Sequence, residues 1–300
     1  MVTLLIATRN AHKVGEIRAI LGDGYRCLSL DDLPHPPEVV EDAGTFAGNA
    51  TKKAVALASW LGQGHRSEPI LTGLPPGALT DPMFVLADDS GLEVDALGGA
   101  PGVHSARFAA LDTGHPGNSP TTENNSKLLR VLGNVPLDQR TARFRCVLAL
   151  TPVPHSEVEG ASPVCYAEEA ELPTELFDGA CEGRIGVAPR GQGGFGYDPL
   201  FLPTGYEQTF GELGEDVKNR LSHRAQALAK LRKRLASTTG NERKTVTVQA
   251  EAWVRPPVQC RLELRLGLTR AKGVLDGSVS PAAPFPSPTA SAVSFIRCCR

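Results

Sequence analysis

The sequence lacks the features that mark several specialised classes of protein. Its seven cysteines are scattered and include no Cys-x-x-Cys pair, which disfavours a zinc site and a disulfide framework. No apolar run approaches the length of about 18 residues that a membrane-spanning helix needs. The apolar start, Val2–Ala7, is interrupted too early to be a secretory signal. We therefore expect a reduced, cytoplasmic protein that does not bind membranes.

An excess of either charge is also missing, because 31 basic and 33 acidic residues give the 300-residue chain a net charge of −2. No overall basic excess points to nucleic acid. The average hides a break, since residues 237–300 carry nine basic and four acidic side chains, a net +5, which leaves −7 on residues 1–236. Ser278–Ser294 is rich in Ser, Pro and Ala and cannot bury enough apolar surface to offset the cost of ordering. We predict a folded domain over 1–236 and a basic, disordered tail over 237–300.

Apolar periodicity predicts an α/β fold with a mixed sheet for residues 1–236. The predicted strands are Val2–Ala7, Met83–Ala87, Arg143–Leu150, Val164–Leu172, Arg184–Ala188 and Asp198–Leu202. The predicted helices are His12–Leu21, Thr45–Leu61, Asn124–Leu132 and Ser222–Leu235, the last capped by Ser222. Two Pro- and Gly-rich stretches, Gly62–Pro82 and Pro152–Pro163, predict loops. The long strands of the second half favour antiparallel pairing, which argues against a simple doubly wound sheet.

Two segments carry side chains that suit phosphate groups. In Thr8-Arg9-Asn10-Ala11-His12-Lys13, a strand leads into a helix whose free N–H groups and lysine can receive an anion. Helix capping by Thr8 or Asn10 is the alternative. In the second segment, Asn49 and Lys53 share one helical face after Glu41, so Lys53 can hold another phosphate. A solvated helix face with a salt bridge is the alternative there.

The segment Ala87-Asp88-Asp89-Ser90-Gly91-Leu92 places two adjacent carboxylates at the end of a predicted strand. Such oxygens suit Mg²⁺, which proteins usually hold with one or two carboxylates plus substrate phosphates. Side chains alternate along a strand, so only one of Asp88 and Asp89 can face a given side. We expect the other to cap or brace a loop. A simple aspartate turn is the alternative.

Two later segments suit a nucleobase. Gly193-Gly194-Phe195-Gly196-Tyr197-Asp198-Pro199 can present an aromatic face on which a base stacks, or form a glycine-rich hairpin with ordinary core aromatics. In Ser222-His223-Arg224, cations oppose the helix dipole, which favours binding of a ligand. Histidine and arginine donors can pair with a purine keto oxygen, whereas the adenine amino group would leave two donors facing each other.

Together and in this order, these motifs resemble those of the inosine triphosphate pyrophosphatase family, the non-canonical purine nucleoside triphosphate pyrophosphatases. The resemblance spans residues 2–236 and is carried by Thr8-Arg9-Asn10-x-x-Lys13, Glu41 with Thr45-Phe46-x-x-Asn49, Ala87–Leu92, Gly193–Pro199 and Ser222–Arg224. It implies Mg²⁺-dependent hydrolysis of ITP, dITP and XTP to the monophosphate and pyrophosphate, by a homodimer. It also implies an elongated, two-lobed fold with flanking helices and an active site in a cleft.

The resemblance further implies roles for single residues. Asp89 would be the catalytic carboxylate and would hold the metal together with Glu41. The implied substrate-binding residues are Thr8, Arg9, Asn10, Ala11, His12, Lys13, Lys53, Ser90, Phe195, Gly196, Tyr197, Asp198, Lys218, His223 and Arg224. Of these, Phe195 would stack on the base, while Lys218, His223 and Arg224 would read its edge.

Two other functions are compatible with the motifs. One is a pyrophosphatase for modified pyrimidine triphosphates, although the expected purine-edge donors of Ser222-His223-Arg224 argue against it. The other is a non-catalytic nucleotide-binding module with a basic tail. The charge of −7 on residues 1–236 argues against polynucleotide binding, which needs clustered lysine and arginine.

Overall fold

The computed structural model describes residues 1–64, 82–154 and 172–241, all within the unit Met1–Thr245. Most of the predicted loops Gly62–Pro82 and Pro152–Pro163 falls outside the described residues, as does nearly all of the predicted strand Val164–Leu172. The predicted disordered tail lies outside them from residue 242 onward.

The described residues form one mixed sheet of six strands. These are β1 (Val2–Ile6), β2 (Tyr25–Ser29), β3 (Met83–Val94), β4 (Thr141–Pro152), β5 (Glu175–Ile185) and β6 (Phe201–Pro203). Their order is β2-β1-β3-β4-β5-β6, with β1 parallel to both of its neighbours and every later pair antiparallel. The predicted mixed sheet with antiparallel strands in its second half is thereby confirmed.

Helices flank this sheet. They are α1 (Ala11–Leu21), α2 (Phe46–Gly64), α3 (Thr121–Val131), α4 (Glu215–Leu221) and α5 (His223–Asn241). Ser222 caps α5 as predicted, since its Oγ accepts a hydrogen bond from the Ala225 N–H at 3.2 Å. In the described part of the chain, none of the helices is long and apolar enough to cross a membrane.

Several predicted boundaries were wrong for identifiable reasons. The sequence reasoning missed β2, whose short apolar stretch shows little alternation, and α4, which has only seven residues and so no long stripe. The predicted strand Arg184–Ala188 is the last part of β5 and a following turn. The predicted strand Asp198–Leu202 shifts to β6, because Tyr197–Leu200 form turns there.

The largest correction concerns β3. The sequence predicted that this strand ends at Ala87, but it continues to Val94 and pairs with β4 throughout, with Asp88 opposite Leu148 and Asp89 opposite Val147. The backbones of Ser90 and Gly91 therefore remain paired with β4 and do not form a turn. Both aspartates consequently lie in the middle of a central strand.

Three apolar clusters divide the described chain into two lobes. In the first lobe, α2 covers one sheet face with Ala50, Ala54 and Leu57, while α1 and α5 cover the opposite face. The second lobe packs α3, the later parts of β3 and β5 and the first part of β4 around Phe144, Phe201 and neighbouring aromatic residues. The mid-strand aspartates of β3 lie where the first-lobe clusters end and the second begins. The predicted two-lobed architecture is confirmed.

Close packing of β5 on α5 gives a first prediction. A Cβ on Gly179 would lie 2.0 Å from the His223 carbonyl oxygen and 2.7 Å from the Ala227 nitrogen, so Gly179→Ala must displace helix backbone. We expect it to lower the free energy of unfolding by about 1–3 kcal/mol, as measured by urea denaturation. The control Gly15→Ala, where a Cβ meets nothing within 4 Å, should be neutral or stabilising. Equal stability of Gly179→Ala and the wild type would contradict this packing.

Candidate active site

A cleft of about 870 Å³ opens between the two lobes and collects most of the predicted site residues. Its walls include Thr8, Arg9, Asn10, Lys13, Glu41, Lys53, Asp89, Ser90, Phe195, Gly196, Tyr197, Asp198, Lys218, His223 and Arg224. Ala11 and His12 are not among the residues that line it. The His12 ring instead stacks on Phe195, with centroids 5.2 Å apart and planes 12° from parallel.

The start of α1 forms one end of the cleft. Asn10 is the N-cap, and its Oδ1 accepts hydrogen bonds from the N–H groups of His12 and Lys13 at 3.0 and 3.2 Å. The Thr8 Oγ1 accepts from the Asn10 N–H at 3.2 Å. The alternative of helix capping by Asn10 is therefore observed. The cap also fixes the end of α1, with its positive dipole, at the cleft wall.

The two adjacent aspartates of β3 face opposite sides of the sheet. Asp88 meets Lys13 of α1 and Arg224 of α5, while Asp89 meets Asn49 and Lys53 of α2. The alternation expected from the sequence holds. The sequence predicted that the other aspartate caps or braces a loop. Instead, Asp88 joins α1 and α5 to the sheet.

Asp88 is the centre of a buried ionic network. It is 1% exposed and accepts from Lys13, from the Arg224 Nε at 2.9 Å and from the Ser90 hydroxyl. The Cys146 thiol contacts it from β4 at 3.2 Å. Burial opposes ionisation of Asp88, but the charges of Arg224 and Lys13 outweigh it and hold its pKa well below the usual value.

Glu16 extends this network and was missed by the sequence reasoning. Its carboxylate pairs with Arg224 and lies 2.7 Å from the Lys218 Nζ, which is itself 2.5 Å from Asp198. Glu16 lies one helical turn after Lys13 on α1, and that spacing was the available signal. The predicted base-edge residues Lys218 and Arg224 are thus buried and held by carboxylates.

Asp89 is the carboxylate that faces the cleft on the α2 side. Its Oδ2 accepts from the Asn49 amide at 3.0 Å, and its Oδ1 lies 3.7 Å from the Lys53 Nζ. Lys53 also donates to Glu41 at 3.1 Å and to the Asp88 carbonyl oxygen at 2.8 Å. Burial raises the pKa of Asp89 despite the lowering effect of Lys53.

Asp89 and Glu41 flank the Lys53 ammonium group, so two carboxylates converge on one point of the cleft. Within residues 1–64, 82–154 and 172–241, no three His, Cys, Asp or Glu side chains cluster as a metal centre would require. Two carboxylates completed by phosphate oxygens are nevertheless a donor set that suits Mg²⁺. The residues therefore fit a metal that arrives with an anionic ligand.

The glycine-rich segment supplies an aromatic wall. Phe195 lies 4.5 Å beneath the Lys218 ammonium group, and its N–H donates to Asp198 at 2.7 Å. The Tyr197 hydroxyl donates to the Ser105 carbonyl oxygen at 2.9 Å, and burial raises its pKa. Gly194 has φ +72°, and a Cβ there would lie 2.1 Å from the Asp198 Oδ2, so this turn requires glycine.

His223 lies at the floor of the same region. The residue is 5% exposed and its ring stacks on Phe144, with centroids 5.0 Å apart, while its Nδ1 finds no hydrogen-bond partner among the described residues. Burial, followed by the charge of Arg224, holds its pKa well below the usual value. His223 is therefore a neutral imidazole with an unsatisfied ring nitrogen.

Sequence comparison decides what kind of protein has this cleft. The family model described as Ham1 family matches residues 4–234. The chain belongs to the Ham1 family. Curated relatives include a dITP/XTP pyrophosphatase of Desulforamulus reducens, 44% identical over 76% of this chain and 92% of the relative. Another, from Geobacillus kaustophilus, is 41% identical over 82% of this chain and 100% of the relative.

Solved structures of Ham1 family members share this fold. The Ham1 protein of Staphylococcus aureus is 30% identical with a TM-score of 0.57, and the match covers 79% of this chain and 99% of that one. A HAM1 protein from Coxiella burnetii is 31% identical, also with a TM-score of 0.57, over 79% and 100% of the two chains. The sheet and helices described above are thus those of the Ham1 fold.

The Asp88 network gives a prediction about stability. Asp88→Asn leaves Arg224 and Lys13 without their buried counter-charge, so we expect the free energy of unfolding at pH 7 to fall by about 3–5 kcal/mol. The control Asp178→Asn removes an exposed pair with Lys230, for which we expect less than about 1 kcal/mol. Urea denaturation measures both. Equal losses in the two variants would contradict the central position of Asp88.

The same network predicts a pH dependence. Because the pKa of Asp88 is lower in the folded than in the unfolded chain, its ionised form stabilises the fold above the unfolded pKa of about 4. That contribution is lost as the pH falls toward the folded pKa. The stability gap between wild type and Asp88→Asn should therefore shrink on acidification below pH of about 4, and a constant gap would contradict the assigned pKa direction.

Proposed function

We propose that this chain hydrolyses non-canonical purine nucleoside triphosphates, namely ITP, dITP and XTP, to the monophosphate and pyrophosphate. The observation that carries the proposal is the cleft itself. It holds a capped helix N-terminus with Lys13, the pair Asp89 and Lys53, and an aromatic wall at Phe195, in a chain whose curated relatives are named dITP/XTP pyrophosphatases. These are the parts needed to bind a triphosphate, attack it with water and hold a base.

The triphosphate would lie between the α1 start and α2. The positive end of the α1 dipole lies there with donors on the side chains of Thr8, Arg9 and Lys13, while Lys53 offers a charge from the other side. Because Asn10 fixes the cap geometry, these donors are oriented before the substrate arrives. Such preorganisation favours stabilisation of charge that develops during phosphoryl transfer.

Asp89 would orient or deprotonate the water that attacks the α-phosphorus. It faces the cleft, its carboxylate is held by Asn49, and its raised pKa makes it a better proton acceptor than an ordinary aspartate. Asp89 and Glu41 would hold Mg²⁺, which when bound neutralises phosphate charge and helps to activate the water. Lys53 would balance the two carboxylates until the metal and phosphates arrive.

The base would lie near Phe195, with its edge toward His223 and Arg224. A purine keto oxygen can accept from donors there, whereas the adenine amino group would leave donors facing donors. A site that hydrogen-bonds one partner rejects the analogue lacking it far more strongly than an apolar pocket does. Since Glu16 and Asp198 hold the neighbouring cations, this selectivity would rest on a rigid arrangement.

The homodimer and the cytoplasmic location stay predictions.

A substrate panel tests the proposal. With Mg²⁺ present, we expect pyrophosphate release from ITP, dITP and XTP with kcat/KM at least about 100-fold above that for ATP. Addition of EDTA should abolish the activity. Comparable rates on ATP and ITP would remove the base selectivity, and faster release from modified pyrimidine triphosphates would favour the pyrimidine alternative.

A second experiment tests Asp89 directly. Asp89→Asn keeps the size of the side chain but removes the charge that would activate the water, so we expect kcat to fall by about 100- to 10,000-fold. The thermal unfolding transition should remain single and cooperative. Asp178→Asn, on the exposed surface of β5, is the matched control and should retain wild-type kcat. An active Asp89→Asn variant would remove Asp89 from the mechanism.

A further inference from the structure

Arg107 lines the cleft although the sequence reasoning did not select it. It ends the short 3-10 helix Gly102–Arg107, which follows β3 in the second lobe. From there its guanidinium reaches the first lobe and donates to the Glu41 carbonyl oxygen at 3.4 Å, a long hydrogen bond. Arg107 thus brings a cation from the second lobe to the position of Glu41.

The other cationic side chains of the cleft are mostly occupied by carboxylates. Lys13 and Arg224 pair with Asp88, Lys218 with Asp198, and Lys53 with Glu41. Among the residues that the structure describes, Arg107 has no carboxylate partner, and of the cleft cations only Arg9 shares this property. Most of the fixed positive charge is therefore already neutralised inside the protein, so Arg107 can offer its full charge to an anionic ligand.

The backbone around Arg107 is held unusually firmly for a loop. The carbonyl oxygens of Ser105, Ala106 and Phe108 accept hydrogen bonds from Tyr197 at 2.9 Å, Asn124 at 3.1 Å and Lys127 at 2.7 Å. The two carbonyls that precede Arg107 and the one that follows it are therefore fixed by side chains from other elements. A side chain on such a support is placed with little loss of backbone entropy on binding.

We propose that Arg107 binds the pyrophosphate part of the substrate, the group that leaves in the reaction. This inference rests on the proposed function. Arg107 lies beside Glu41, where the metal and the outer phosphates would meet, while the aromatic wall at Phe195 receives the base. The guanidinium fork matches two phosphate oxygens at once, which a lysine cannot do.

The test measures binding of the two products separately. Isothermal titration calorimetry with Mg²⁺ present compares inorganic pyrophosphate and IMP on the wild type, Arg107→Gln and Arg107→Lys. We expect Arg107→Gln to bind pyrophosphate roughly 10- to 100-fold more weakly and IMP almost unchanged, because a charge-assisted hydrogen bond is lost. Arg107→Lys should fall between, since it keeps the charge without the fork. The KM for ITP should rise with the loss of pyrophosphate affinity.

Arg184→Gln is the matched control, because Arg184 is an exposed arginine of β5 whose partner is Glu207, at 3.4 Å. It should leave both affinities unchanged. Pyrophosphate binding by Arg107→Gln at wild-type strength would overturn the inference. So would an equal loss of pyrophosphate and IMP binding in both Arg107 variants, which would show a structural role. A wild type that releases no pyrophosphate from ITP or XTP would instead overturn the proposed function, whatever the Arg107 variants bind.

Discussion

The structure depends on one buried ion pair, between Asp88 on the central strand β3 and Arg224 at the start of α5. Asp88 is 1% exposed, and such a carboxylate is tolerated only because Arg224 and Lys13 surround it. The pairing joins β3 to both helices of one sheet face. The starts of both helices line the cleft, so the interaction that stabilises the fold also positions these two parts of its wall.

The opposite face of β3 carries Asp89, the carboxylate to which the proposed function assigns the catalytic role. Asp89 is less buried than Asp88, its neighbour Lys53 lies farther away, and burial raises its pKa. Adjacent positions on one strand thus have opposite electrostatic environments, one aspartate fixed as a structural anion and one suited to accept a proton. Because the strand continues into the second lobe, the residues before and after Asp89 stay paired with β4, so Asp89 does not lie in a loose turn.

Charge neutralisation organises the rest of the cleft. Glu16 and Asp198 hold Lys218 and Arg224, which leaves the positions of these cations fixed but their charge largely compensated. A polyanionic substrate of the proposed kind would then depend on the helix N-terminus, on cations that it can share with carboxylates and on a cation without a carboxylate partner. Among the described residues, Arg107 of the second lobe is such a cation.

The sequence by itself determined which functional motifs are present between Thr8 and Arg224. It also determined the mixed sheet and the alternation that separates Asp88 from Asp89. These follow from local spacing, since period-two alternation and helix capping act between near neighbours. Only the tertiary structure decided that β3 passes through both lobes, that Lys13 and Arg224 meet at Asp88, that Glu16 joins their network and that Arg107 lines the cleft. Such pairings join residues up to 208 positions apart, and no local pattern records which distant charge will compensate a buried one.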